Sequence, residues 1–289
     1  GCLAKGREEG RVASTADKPG RPDAEPRADS EADADVDMVR HVPACLTVGM
    51  HDGGPRGLPG CALDGRLPAV RGPDGVISRG AALILADQAL ARGVWGMLGD
   101  VQAMMTLDLR IDWHGALPAA DALGFGTTRT VREGALCFVE GVLVADGTDV
   151  GSAAARFLTG AMPGGRTTER PTEPLDLGPS AVADFDELMG LEADGAAWRV
   201  RPTPALIGAR AVPAYHGGFV AAALEAACAR LANGPRAVNF EVRYLRPARA
   251  DLDMRVTAAA VRAGQLASVL EADAWQGTTR VATARALFS

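Results

Sequence analysis

Aromatic side chains are scarce: Phe, Trp and Tyr make up 4% of the 289 residues, so a core has to be built from Ala, Val and Leu. Positive charge is in deficit, with 30 Lys and Arg against 36 Asp and Glu and a net charge of −6. That excludes a nucleic-acid surface, which needs clustered cations in clear excess. The five cysteines, Cys2, Cys45, Cys61, Cys137 and Cys228, form an odd, scattered set without a CxxC pair, which speaks for reduced thiols over a disulfide framework or a zinc site. His41, His51 and His114 show no ligand spacing with Cys, Asp or Glu, so no metal is expected. Apolar windows break off before the roughly 18 residues of a membrane span, and no apolar signal core opens the chain. A cytoplasmic location without a membrane span is the expectation.

What remains is an ordinary globular composition, 47% hydrophobic and 23% charged, in a length that fits one large or two small domains. Acidity gathers at one end. Residues 22 to 37, PDAEPRADSEADADVD, mix Pro, Ala and acids without apolar periodicity, so residues 1–40 read as a disordered acidic leader.

The chain repeats itself. VREGAL at 131 to 136 returns as VRAGQL at 261 to 266, an offset of 130; LDLRIDW at 107 to 113 parallels VNFEVRY at 238 to 244, an offset of 131. RGAALILADQALA (79 to 91) parallels GGFVAAALEAACA (217 to 229) at an offset of 138, which sets Asp87 opposite Glu225. A longer connection after the first helix, GVWGMLGDVQ, absorbs the difference. Both Ala- and Leu-rich blocks lack Pro and are apolar nearly all round, as a helix buried on most sides must be. Behind each come alternating runs such as FEVRYLRP, DMRVTAAAV, LASVLEADAW and TRVATARALF, which predict about four antiparallel strands per copy.

Helix then strands, twice over, is an α+β pattern in which each antiparallel sheet wraps a long central helix. Two such units in tandem can pair their exposed edges and form a pseudo-dimer within one chain. The expected boundaries are 41–160 for the N-terminal unit, 161–183 for a Pro/Gly/Thr-rich linker and 184–289 for the C-terminal unit.

His216-Gly217-Gly218, an acid nine residues after the His, NFEVRYLRPARADLDMRV, VRAGQLASVLEADAW and a final VATARALF together resemble the hotdog-fold acyl-CoA thioesterases, in particular the phenylacetate-pathway type. FDELMGLE at 185 to 192 is similar to the helix that opens that family's unit. The likeness covers residues 184 to 289 well and about 43 to 158 more faintly. It implies two tandem hotdog units and an acyl-CoA or related thioester as substrate, with no cofactor beyond the coenzyme A of the substrate and further homo-oligomerisation open. Two departures stand out: Ser78-Arg79-Gly80 occupies the place of His-Gly-Gly in the first copy, and Arg210 stands where the family often has Asn.

An acid inside an apolar helix is costly to keep charged unless partnered, so its pKa should rise, which suits a general base or nucleophile. Free N–H groups at a glycine-opened helix N-terminus can stabilise an oxyanion. The resemblance implies that the oxyanion loop of one unit faces the acid of the other, assisted by a Ser or Thr early in the next strand. Thr106 lies seven residues before Trp113, while Ala237 lies seven before Tyr244. Asp87 and Thr106 of the first copy with His216, Gly217 and Gly218 of the second thus make one complete set; Glu225 with Ser78-Arg79-Gly80 looks degenerate. Arg243, Arg246 and Arg249 are candidates for the phosphates of coenzyme A. Gln88 is left out, because the neighbouring helix position points about 100 degrees away from Asp87. A non-catalytic acyl-binding or scaffolding protein is the alternative, favoured by the drifted Ser78-Arg79-Gly80.

Overall fold

A computed structural model describes residues 38–99, 103–160, 175–209, 213–232 and 237–289. The expected leader up to residue 37, linker residues 161–174 and Arg210 lie outside the described residues. The first half runs through Pro43–Thr47 (α1), Met50–Asp52 (β1), Gly60–Asp64 (β2) and the helix Arg79–Leu98 (α2), then Met104–Trp113 (β3), Ala122–Glu133 (β4), Leu136–Ala145 (β5) and Thr148–Thr159 (β6). The second runs through Phe185–Met189 (α3), Leu191–Asp194 (β7), Ala197–Val200 (β8), Ile207–Ala209 (β9) and Ala214–Tyr215 (β10) to the helix Gly217–Ala232 (α4). Ala237–Tyr244 (β11), Met254–Arg262 (β12), Ser268–Gln276 (β13) and Thr279–Phe288 (β14) follow.

Twelve strands form one sheet in the order β1-β2-β4-β5-β6-β3-β11-β14-β13-β12-β8-β7. Read outward from the middle, both halves have the same sequence of strands. They meet where β3 pairs antiparallel with β11, and the register carries the repeat: Leu109 faces Val242 and Ile111 faces Phe240, two pairs that the offset of 131 exchanges, with Arg110 and Glu241 paired between them. Even the irregularities recur. A bulge between Thr106 and Asp108 on β3 is matched by one between Ala237 and Asn239 on β11. At the tips of the β4–β5 and β12–β13 turns, Val131 and Leu136 are exposed, as are Val261 and Leu266.

The expected four strands after each helix are present; the short β1–β2 and β7–β8 hairpins before them add the outer strands. One expectation is corrected. GVWGMLGDVQ was read as a longer connection, but α2 continues through Leu98, so part of the extra length extends the helix by winding on. Gly99, at φ 68, ends it with a left-handed cap whose N–H reaches Trp95 O. The prolonged α2 also meets the length and mean hydropathy, 1.2, of a membrane span, contrary to the reading of interrupted windows; 72% of that stretch is buried inside the protein, so its apolar sides serve the core.

Both helices are buried because the sheet covers one side of each and the helices cover one another. They lie antiparallel, Gly80 against Ala222 and Gly218 against Ile84. A methyl added at Gly218 would sit 2.4 Å from Ile84 Cα, backbone that cannot swing aside. In an isolated helix Ala is favoured over Gly by about 1 kcal/mol. Here overpacking reverses the sign: Gly218→Ala is expected to destabilise the fold by about 1–3 kcal/mol. Urea denaturation measures this, and a variant as stable as the parent would show that the helices can part at no cost.

Candidate active site

The antiparallel packing carries the start of α4 across the middle of α2, and Asp87 meets it there. Asp87 and Glu225 are both buried, 5% and 6% exposed, which excludes a solvent-washed helix face as the reason for either acid. Asp87 Oδ1 accepts a 2.9 Å hydrogen bond from Thr106 Oγ1, and Oδ2 accepts one of 2.9 Å from the Gly218 N–H. Thr106 reaches it from the β3 bulge, a device that re-aims a side chain locally. At the matching bulge on β11 stands Ala237, which has no hydroxyl to offer.

Gly217 and Gly218 have separate structural tasks. Gly218 lets the helices touch, as above; at Gly217 a methyl would lie 2.7 Å from Asp87 Oδ2. The Gly218 N–H is engaged by Asp87, whereas the Gly217 N–H makes no hydrogen bond among the described residues. Tyr244 Oη donates to Gly217 O at 2.8 Å and pins the loop. Burial of that hydroxyl, together with the charges of Asp87 and Asp108, raises its pKa well above the ordinary value, so it remains a donor.

His216 is 6% exposed, and burial lowers its pKa despite the nearby charge of Asp87. It is therefore a neutral ring at neutral pH, and the 3.5 Å approach of Nδ1 to Asp87 Oδ2 is no ion pair there. Nδ1 accepts from the Gly218 N–H at 3.1 Å, which leaves the hydrogen on Nε2, 3.3 Å from Gln88 Oε1. Gln88 is thus part of the constellation after all. The angular argument against it assumed one face of α2 toward the site, but the His216 loop wraps over two; the signal in the sequence was an amide on a helix apolar all round. Its Nε2 is buried and without a partner. Cys45 of α1 lies against the same ring, Sγ 3.9 Å from Nε2, its thiol pKa pushed up by burial.

Glu225 stands at the equivalent place in the other half. Its carboxylate is 4.0 Å from Arg79 Nη1 and accepts no hydrogen bond among the described residues, and Arg79 lies over the Trp113 ring, 5.5 Å from its centre. Burial raises the Glu225 pKa, an effect Arg79 opposes. The second half's set of His, Gly-Gly and Tyr is answered here by Ser78, Arg79 and Trp113. Arg243, Arg246 and Arg249 are all exposed. Arg243 sits on β11 beside Glu241, its Nη2 3.1 Å from the carboxylate, and Arg249 lies in the following loop with Asp251 at 2.6 Å, so only one of the three belongs to a strand. His41, His51 and His114 take no part in the site, and among the described residues no cluster of three or more His, Cys, Asp or Glu could hold a metal.

Residues 209–289 match the family model of the acyl-CoA thioesterase N-terminal domain, here at the C-terminal end of the chain and spanning the half that supplies His216-Gly217-Gly218. The architecture is shared with a TesB protein of Mycobacterium avium subspecies paratuberculosis, at TM-score 0.56 and 14% identity over 84% of this chain and 97% of that one. The fold is that of the hotdog thioesterases. An oleoyl thioesterase (putative) of Lactobacillus plantarum (TM-score 0.56, 8% identity, 83% and 94% of the two chains) shares this hotdog architecture. So does a 12:0-ACP thioesterase of Umbellularia californica (0.52, 12%, 76% and 90%). No curated protein sequence matches.

The two buried groups leave opposite marks on stability. Below the ordinary histidine value of 6.5 the unfolded chain takes up a proton that folded His216 resists, so stability is full above 6.5 and falls as the pH drops below it. Glu225 does the reverse, its contribution present below 4.5 and lost as the pH rises through its raised folded value. Urea titrations from pH 4 to 8 should show a shallower acid-side fall in His216→Gln, and in Glu225→Gln the removal of the loss on the alkaline side of about 4.5.

Proposed function

We propose that this chain is a thioesterase that hydrolyses an acyl-CoA or related acyl thioester, built as two tandem hotdog units that form an intrachain pseudo-dimer. The observation that carries the reading is the convergence on Asp87 of a hydroxyl from its own half and a glycine loop from the other. One N–H of that loop, on Gly217, makes no hydrogen bond among the described residues.

The thioester carbonyl oxygen would lie at the Gly217 N–H, at the positive end of α4, where developing negative charge is stabilised. Asp87 takes a proton from water as the water oxygen bonds to the carbonyl carbon, and the carbonyl electron pair moves onto the oxygen at Gly217. Collapse breaks the C–S bond, and the proton passes from Asp87 to the departing sulfur, giving a free carboxylic acid and a thiol. The anchoring of both Asp87 oxygens by protein donors favours the base role over direct attack. Thr106 orients the carboxylate, and His216 holds the loop through the Gly218 N–H. Neither step calls for a cofactor other than the coenzyme A of the substrate.

The drifted Ser78-Arg79-Gly80 favours a second reading, a non-catalytic acyl-binding or scaffolding protein, and the two part at a single assay: release of free thiol from short, long and aromatic acyl-CoAs. Hydrolysis of none of them supports binding alone. If the first reading holds, Asp87→Asn lowers kcat by about 10²–10⁴ and Thr106→Val by about ten- to a hundredfold, while Glu225→Gln stays near the parent rate. Loss of hydrolysis in Glu225→Gln alone would move the chemistry to the other half. Gly217→Ala, whose methyl would lie 2.7 Å from Asp87 Oδ2, should lose activity while still unfolding in one cooperative transition in urea.

A further inference from the structure

The hydrogen bonds around His216 run in a chain with one end unmet. The Gly218 N–H sits between two acceptors, Asp87 Oδ2 at 2.9 Å and His216 Nδ1 at 3.1 Å, and on the far side of the ring Nε2 lies 3.3 Å from Gln88 Oε1. Gln88 is 4% exposed, and its Nε2 has no acceptor among the described residues, not even the Cys45 sulfur that lies against the same ring. Buried donors as a rule have partners, and a primary amide can turn end for end to find one. This one is held with its oxygen toward the ring and its N–H groups unmet.

A neutral imidazole has one ring hydrogen, and here two groups compete to place it. Asp87 Oδ2 is 3.5 Å from Nδ1, and a carboxylate draws a hydrogen toward the nitrogen it faces. With the hydrogen on Nδ1, the Gly218 N–H would meet a second donor where it now meets a lone pair. Nε2 would then be the acceptor, and Gln88 could turn its N–H groups to it and leave no donor unmet. The amide has the opposite orientation, which requires the hydrogen on Nε2. The other neighbours of the ring bring no charge: the Cys45 thiol is kept protonated by burial, Leu206 accepts from the His216 backbone N–H, and Gly208 packs on its Cα. Asp87 is the one charge that acts on His216, against the effect of burial.

We infer that Gln88 is a positioning residue that holds the hydrogen of His216 on Nε2, so that Nδ1 stays a lone pair for the Gly218 N–H and the glycine loop stays on Asp87. The unmet Gln88 Nε2 is the consequence, because the amide oxygen is committed to the ring. Asp87 benefits twice. The loop that carries its Gly218 donor is kept in place, and the carboxylate has two donors, from Thr106 and Gly218, where a third from Nδ1 would weaken it as a base. An amide does this without charge; a carboxylate at position 88 would accept from Nε2 equally well but would also draw a second proton onto the ring. For its effect on rate this role rests on the thioesterase reading above, whereas the position of the hydrogen can be read without a substrate.

Nitrogen NMR of the full chain labelled at histidine shows which ring nitrogen carries the hydrogen, with the His216 signals identified by their loss in His216→Gln. In the parent at neutral pH it should be Nε2. Gln88→Leu, of similar size and without an acceptor, should move the hydrogen to Nδ1 and lower kcat for acyl-CoA hydrolysis by about ten- to a hundredfold. Gln88→Glu should keep the Nε2 hydrogen and near-parent activity at alkaline pH, then lose activity as the pH falls through a His216 value raised by the new carboxylate, an acid limb that lies above any in the parent. Loss of packing alone would produce neither the moved hydrogen nor the new limb, and unfolding midpoints establish that both variants fold. A hydrogen still on Nε2 in Gln88→Leu overturns the inference, as does a moved hydrogen with unchanged kcat, or a Gln88→Glu profile that keeps the parent's acid side. A parent that hydrolyses no acyl-CoA fails the thioesterase reading instead, and the spectra then decide the role of Gln88 by themselves.

Discussion

Two helices that touch backbone to backbone set the positions of everything else in this molecule. Gly218 has no side chain to hold Ile84 away, Gly80 none to hold Ala222 away, and the helices therefore close to a distance at which the N-terminus of each overlies the acid of the other. Were they spread by a methyl group, the Gly218 N–H would no longer reach Asp87 Oδ2, and Asp87 would be a buried charge with only Thr106 to satisfy it. The site and the core are thus one contact seen from two sides. Packing requires glycine at 218, and the same glycine exposes the N–H that anchors the carboxylate.

Much of this was legible because the repeat is a physical statement. A helix apolar on all sides has to be wrapped, and strands with period two have to wrap it; the same pattern twice in one chain makes edge pairing between copies the economical closure. The pairing of β3 with β11 follows from that; the meeting of Asp87 and Thr106 with His216-Gly217-Gly218 across the halves was implied by the resemblance to the hotdog thioesterases. The hairpins β1–β2 and β7–β8 were not legible. Their strands are three to five residues long, too short for alternation to register, and each gains its place only from the neighbour already in the sheet.

Gln88 and Tyr244 were missed for a different reason. Both act through groups that periodicity cannot see: Gln88 through a ring on the other half, Tyr244 through the carbonyl of Gly217 at the mouth of a helix. Arguments from helix angle assign a residue to a face and then treat the faces as separate environments. That fails where a loop crosses the helix and touches two faces together. The overrun of α2 to Leu98 belongs to the same class: Gly93, which the sequence around it reads as opening a connection, lies inside the helix against Thr127, where a methyl would come within 2.8 Å of that side chain.

The difference between the halves reduces to what stands opposite each buried acid. Opposite Asp87 the chain offers an N–H and a hydroxyl, both able to hold a carboxylate, and beside them a neutral imidazole that adds no positive charge. Opposite Glu225 it offers a guanidinium clamped over Trp113, and Ala237 where the hydroxyl would be. Arg79 opposes the rise of the Glu225 pKa and cannot itself release a proton, so a base there would be held back by its own partner. Arginine in place of glycine at the head of one helix thus sets a full positive charge against one buried acid, where the other half sets a backbone N–H.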